Sequence, residues 1–276
     1  MKVNKIYTIL FVAIFFILPI RFTFGAEPTS DFLSLCKVTL KDDAKALPLC
    51  EALQTKFFLK NKTNDIAPFL PKDVGAPPSS IDDKVQFFIF NDPNYLAGVA
   101  YCYFVYRNWI SPTEISPDTL VQSASGFSIL NEKIKDYQQW LNKNVEGKKC
   151  KARVEKESEV TVADLEISLK GRVALIGINP YAIIQSPDVS LESAEKEMLL
   201  TVNHERIHAY HVACPAFEKW SIKEWEKLPS AKKNEYIKKY PSYTWSIPQV
   251  AGREYIGFLL ESTPEKIADH IKGCKI

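Results

Sequence analysis

Apolar positions along the chain change their period from segment to segment, and each period predicts an element. From Asp31 to Lys60, Phe32, Leu33, Leu35, Leu47, Leu49, Leu53, Phe57 and Phe58 recur at mixed helical spacings broken near Lys41–Asp43, which predicts two short helices. Val85–Phe90 and Val99–Tyr106 are short, almost wholly apolar and aromatic runs that read as buried strands. Phe127, Leu130, Ile134, Tyr137 and Leu141 form one helical stripe, so an amphipathic helix is expected from Phe127 to Leu141. Val160, Val162, Leu165, Ile167 and Leu169 alternate with polar residues, and Val173–Ile178 follows across Lys170-Gly171, which predicts a β-hairpin. A long helix is expected from Ser190 to about Val212, with Ser190 as its cap and Glu192 in its first turn. Between these segments, Asp65–Asp83 carries Pro68, Pro71, Pro77 and Pro78 with Gly75, Ser79 and Ser80, the composition of a linker or long surface loop. Helical and strand periods both occur, so the fold class is α+β.

The first 26 residues stand apart. Lys2 and Lys5 precede an apolar run of 15 residues, Ile6–Ile20, followed by the small residues Thr23, Gly25 and Ala26. That layout is a secretory signal, too short for a membrane span of about 20 residues. It also changes the charge. The whole chain is +2, but without Lys2, Lys5 and Arg21 there are 32 basic and 33 acidic residues, which argues against a nucleic-acid partner. The seven lysines between Lys219 and Lys239 read as a solvated helical insertion. With no later apolar run long enough to span a bilayer, the mature chain is expected to be secreted or periplasmic, with no stable membrane span.

All six cysteines follow that leader, and an even number in an exported chain predicts three disulfides. Fifteen pairings are possible; among them, Cys36 with Cys50 would be a local link between the first two helices, and Cys214 with Cys274 would pin the C-terminus near the end of the long helix. No Cys-x-x-Cys pair occurs, so a cysteine zinc site has no basis. Asn61-Lys62-Thr63 fits a glycosylation sequon.

Three of the four histidines lie within eight residues, in Thr201-Val202-Asn203-His204-Glu205-Arg206-Ile207-His208-Ala209-Tyr210-His211. His204 and His208 are four apart and project from one helical face about 6 Å apart, where two imidazoles can converge on one Zn²⁺. Glu205 points to the side of that face and can reach the attacking water as a general base. His211 lies a further turn along, away from the point between the two ligands. A third ligand is better supplied by another helix, and Val250–Glu261 carries Glu254 and Glu261 seven apart on one face.

This helix resembles the zincin metallopeptidase signature: Thr201, Val202, Ile207, Ala209 and Tyr210 agree with it, and Arg206 is charged where the signature is uncharged. Glu254-Tyr255-Ile256-Gly257 is similar to the third-ligand helix of the gluzincin branch, in the Glu-Phe-Phe-Ala form of lethal-factor-like and Mlc-titration-factor-like peptidases. The resemblance covers about Ser190 to Pro264. It implies Glu254 as the third zinc ligand and Glu261 as an acid supporting the site. It also implies a Tyr that stabilises the oxyanion, for which Tyr243 is the choice over Tyr240, and an edge strand that pairs with substrate, for which Arg172–Ile178 is the best segment.

The expected organisation is a signal peptide over 1–26, a helical segment and Pro-rich linker over 27–83, and a zincin-like domain with a small mixed sheet and an active-site helix over 84–276. The expected activity is zinc-dependent hydrolysis of a peptide or protein substrate, with His204, His208 and Glu254 on the metal and Glu205 as base. The rival expectation is a catalytically inactive, zincin-like metal- or partner-binding protein of the cell envelope.

Overall fold

A computed structural model of the chain describes residues 70–276 apart from 91, 166–168, 185–189 and 242, together with 48, 51–52 and the short strand at 66–68. The leader, the sequon, the Cys36–Cys50 pairing and most of the two helices expected before residue 60 lie outside the described residues.

Four strands form one mixed sheet: β1 (Ile66–Pro68), β2 (Val85–Phe90), β3 (Gly126–Leu130) and β4 (Ala174–Ile178). Their order is β1-β2-β4-β3, with β2 and β4 parallel and both outer pairs antiparallel. β4 is buried at all five residues because it has a neighbour on each edge and helices on each face, which is why Ala-Leu-Ile-Gly-Ile is uniformly apolar. Side-chain alternation splits the core in two. Phe87, Ile89, Ile176 and Ile178 face one helical layer, while Phe90, Phe127, Ile129 and Leu175 face the other.

The helices of the second layer are α1 (Cys102–Tyr106), continuing a π turn at Ala97–Tyr101, then α2 (Pro117–Ser123), α3 (Ile134–Lys143) and α4 (Val145–Glu157). After β4 come α5 (Pro180–Ile184), α6 (Leu191–Ala213), α7 (Pro215–Lys227), α8 (Ser230–Lys239), α9 (Pro248–Leu260) and α10 (Ile267–His270). The class is therefore α+β with a small mixed sheet. Among the described residues no helix is long and apolar enough to cross a membrane.

Val85–Phe90 is a strand, as its composition predicts, and the long helix starts where Ser190 caps it: the Ser190 hydroxyl accepts from the Ser193 amide at 3.1 Å, and the Ser193 hydroxyl accepts from the Ser190 amide at 2.7 Å. Other expectations are corrected. Val99–Tyr106 is helical; a run buried on all sides loses its period, so helix and strand look alike there. Phe127–Leu130 belongs to β3, and the helix begins only at Ile134. The expected hairpin is absent among the described residues, because β4 pairs with β2 and β3 rather than with residues 159–165. The helix Val145–Glu157 had no counterpart in the sequence reading; Asn144 caps it, its Oδ1 accepting from the Glu146 amide at 2.8 Å. The lysine-rich insertion is two helices, α7 and α8.

The proline-rich stretch does not behave as a linker. Val74, Ala76 and Ile81 are buried in the core beneath α6, and β1 adds to the sheet, so the folded body begins before residue 84.

Two disulfides are described. Cys214–Cys274 ties the C-terminal segment to the C-cap of α6, as expected, and Cys102–Cys150 joins α1 to α4. Their partners are 60 and 48 residues apart, so in the chain-entropy view each stabilises the fold by about 4 kcal/mol.

Candidate metal centre

The centre is built where α6 passes under the sheet and meets α9. Every residue from Thr201 to His211 is buried, so the polar ones must find partners inside the protein. His204 and His208 project toward α9, and their ligand nitrogens and a Glu254 carboxylate oxygen lie within 4.8 Å of one another. The His204 Nε2 is 3.3 Å from one Glu254 oxygen and the His208 Nε2 is 3.5 Å from the other. Ligands about 2.1 Å from a tetrahedral ion lie about 3.4 Å from each other, so these spacings suit a small cation. Two imidazoles and one carboxylate brought this close are a donor set that could hold a metal ion. His204, His208 and Glu254 are the residues that could hold a metal; among the described residues no other such group of three occurs.

α9 is shaped to bring Glu254 there. Glu254, Phe258 and Glu261 recur at helical spacing, and all three meet His204. Phe258 packs 4.7 Å from its ring, and the Glu261 carboxylate accepts from its Nδ1–H at 2.9 Å. That bond fixes the ring's orientation and turns Nε2 toward Glu254. Gly257 makes the approach possible: a Cβ there would lie 2.6 Å from His204 Cε1. The two carboxylates outweigh burial and hold the His204 pKa well above its usual value. His208 is pushed well below by burial and by the neighbouring charges of His204, His211 and Arg253.

Glu205 points instead at β3. Burial lifts its carboxyl to about 7, with the charge of Glu254 acting the same way, while the charge of His204 and a hydrogen bond donated by the Ser128 hydroxyl oppose the rise. Ser128 was hidden from the sequence reading, which placed it in a helix. Gly126, two residues earlier on the same face, leaves room for Thr201 and Glu205; a Cβ there would lie 2.3 Å from the Thr201 methyl.

β3, not β4, is the sheet edge beside the centre. The expectation that Arg172–Ile178 is the free edge fails because β4 is paired on both sides. Phe127 and Ile129 point their backbone groups at β4, so those of Gly126, Ser128 and Leu130 turn outward. The Leu130 carbonyl is taken by the Tyr103 hydroxyl at 3.1 Å; among the described residues no strand pairs with the outer side of Gly126–Ser128, although Phe127 and Ser128 are buried.

The remaining candidates separate clearly. Tyr243 lies at the centre's rim, edge-on to Phe258 at 5.8 Å, and burial followed by the charges of Glu254 and Glu205 raises its pKa well above 10. Tyr240 stacks on Phe258 at 3.8 Å. His211 is not in the ligand group: its Nε2 is 2.8 Å from the Ser221 hydroxyl and its ring packs on Phe217. His270 stacks on Trp220, away from the centre. Arg206 points off the opposite side of α6, only 2% exposed, donating to the Asp82 carboxylate at 2.7 Å and to the Pro77 carbonyl at 3.0 Å.

Compared with known proteins, the chain matches no protein-family model, and no curated protein or solved structure is significantly similar to it.

Proposed function

We propose that this chain is an exported, zinc-dependent metallopeptidase of the zincin type. The observation that carries the reading is the convergence of His204, His208 and Glu254 within 4.8 Å, with Glu205 beside them and hydrogen-bonded to Ser128 of β3. His204, His208 and Glu254 would hold the zinc ion, which would supply Lewis-acid polarisation of the scissile carbonyl and acidification of water. Glu205 then takes the proton from the attacking water and delivers it to the leaving nitrogen, the Ser128 hydroxyl keeping its carboxylate in place. Tyr243, whose raised pKa keeps the phenol protonated, donates to the developing oxyanion. The outward backbone groups of Gly126 and Ser128 hold the peptide as an added antiparallel strand. Export is supported by the leader and by two disulfides, which persist in oxidising compartments.

The rival reading is a catalytically inactive metal- or partner-binding protein of the cell envelope. The observation in its favour is closure: His204, Glu205 and His208 are only 7–8% exposed. Arg206 lends it no support, since its charge is spent on the far side of the helix.

Metal analysis of the purified mature chain, together with cleavage of a mixed peptide library by wild type and Glu205→Gln, tests the proposal. One zinc per chain and cleavage lost in the variant is the expected result. Zinc without Glu205-dependent cleavage favours the rival, and a chain that retains no zinc sinks the peptidase and leaves only the partner-binding form of the rival.

A further inference from the structure

The metal centre is almost closed. His204, Glu205 and His208 are only 7–8% exposed, and the front of α6 lies between β3, which Glu205 faces, and α9, which carries Glu254. Among the described residues one ion pair joins those two sides. Glu132, two residues past the end of β3, places its Oε1 3.7 Å from the Arg253 Nη1 of α9 and 3.3 Å from the Arg107 Nη2 at the C-cap of α1. Arg253 immediately precedes Glu254. Burial and, after it, charges that include that of Arg253 hold both His208 and His211 below their usual pKa, which puts the guanidinium at the His208 end of the centre.

The members of this bridge are held unequally. Arg253 is fixed to α7 by two bonds to one Glu218 oxygen, from Nε at 3.0 Å and from Nη2 at 2.6 Å. Arg107 donates to the Tyr103 hydroxyl at 2.9 Å and lies 5.0 Å over the Trp109 ring. Both guanidiniums therefore keep a partner without Glu132. The backbone before Glu132 is fixed as well, because the Asn131 amide donates to the Val173 carbonyl at 2.9 Å and its side chain to the Arg172 carbonyl at 2.6 Å. The Glu132 carboxylate has no partner beyond the two arginines among the described residues, and its side chain is 35% exposed. Ion pairs this long and this exposed are weak, because water and salt screen them. Glu132 is thus the one member that can swing away with every other contact left intact.

We infer that Glu132 is a salt-sensitive strap across the metal centre: paired with Arg107 and Arg253 it closes the His208 end, and released from them it opens that end to solvent and ligand. This rests on the reading of His204, His208 and Glu254 as a zinc centre, and deepens it by naming how access to that centre is regulated. The strap touches no ligand atom, so it changes how fast an ion enters and leaves and not how tightly it is held. A bound ion with equal affinity for the open and closed states shifts neither.

The test follows zinc extraction from the zinc-loaded full chain by excess 1,10-phenanthroline, an uncharged chelator, at about 0.01 M and about 1 M salt, where the screening length falls from about 30 Å to about 3 Å. At low salt Glu132→Ala should release zinc about two- to fivefold faster than wild type, the range set by the strength of an exposed ion pair. High salt should speed the wild type toward the variant, and the variant should lose most of that response. The zinc Kd of the variant should stay within about twofold of wild type, which separates a strap from a residue that shapes the ligand set. Glu132→Asp keeps the charge but shortens the reach, and should release zinc faster than wild type in the same way. Equal release rates in wild type and both variants at low salt overturn the strap, as does a Kd weakened in proportion to the faster release. A wild-type chain that retains no zinc overturns the underlying metal reading instead, so the two failures are distinguishable.

Discussion

The two sides of α6 differ more than any other neighbouring surfaces in the molecule. On the side facing α9, His204, His208, Glu205 and Glu254 crowd together. There His204 alone is shared by two carboxylates, at 3.3 and 2.9 Å, and burial forces Glu205 up to about 7. On the other side Arg206 meets the Asp82 carboxylate and the Pro77 carbonyl, stacks its guanidinium 5.8 Å from the Phe87 ring, and is followed one turn later by Tyr210, whose hydroxyl bonds to Ser79 and Ser80. The back is an ion pair of opposite charges with its stem in an apolar core. The front gathers acids and lone pairs that a divalent cation would satisfy. Residues two apart on one helix, about 200° around its axis, thus divide the work: the back fixes where the helix lies, and the front is free to be chemically frustrated.

That division can be broken at its strongest point first. Zinc at about a thousandfold excess over its Kd should stabilise the wild-type fold by about 4 kcal/mol, seen as a rise in Tm that a chelator reverses. His208→Ala or Glu254→Ala should abolish the response while the zinc-free variants melt close to zinc-free wild type. A variant that still gains the full zinc stabilisation would show that the ligands lie elsewhere. On the back, Arg206→Ala should lower stability by about 2–3 kcal/mol through lost buried hydrogen bonds and the cavity left by its stem. Zinc affinity should stay within about twofold of wild type, because the 2.7 Å partner of Arg206 is Asp82 and not a ligand. Equal damage to stability and to zinc binding would mean that the two sides are not separable.

The front was legible in the sequence because its spacing is local. His204 and His208 are one turn apart, and Ser190 announces the helix that carries them. Glu254 required a second pattern, and its convergence on the histidines followed from a helix whose small residue, Gly257, sits under the His204 ring. The edge strand was not legible. Phe127, Leu130 and Ile134 keep helical spacing by coincidence across a strand-to-helix junction, and β3 is defined by pairing with residues nearly 50 positions later. With β3 read as a helix, neither Ser128 nor Gly126 could be seen beside Glu205. The back was misread for a similar reason. A charged residue within the motif and a proline-rich stretch each look unfavourable alone; they make sense only as partners 124 residues apart.

Smaller effects test how the front is supported. Glu261 touches no position a metal would occupy and acts only through the His204 Nδ1–H. Replacing it by Ala should weaken zinc about 10- to 100-fold, the usual cost of losing such a partner, with Glu261→Gln recovering much of it by keeping an acceptor oxygen. If zinc affinity is indifferent to Glu261→Ala, orientation of His204 must come from Gly257 and Phe258 alone.

Gly257→Ala is the finest probe. An alanine is favoured over glycine inside a helix by about 1 kcal/mol, so backbone energetics predict a more stable protein. The new methyl would lie 2.6 Å from His204 Cε1 and 2.9 Å from Nε2, too close for either ring atom to stay in place. The expected outcome is opposite signs in two measurements: a zinc-free Tm equal to or above that of wild type, and a several-fold weaker grip on zinc as the His204 ring is turned from Glu254. A matching loss in both would show that α9 yields as a body and that the close approach serves packing rather than the metal.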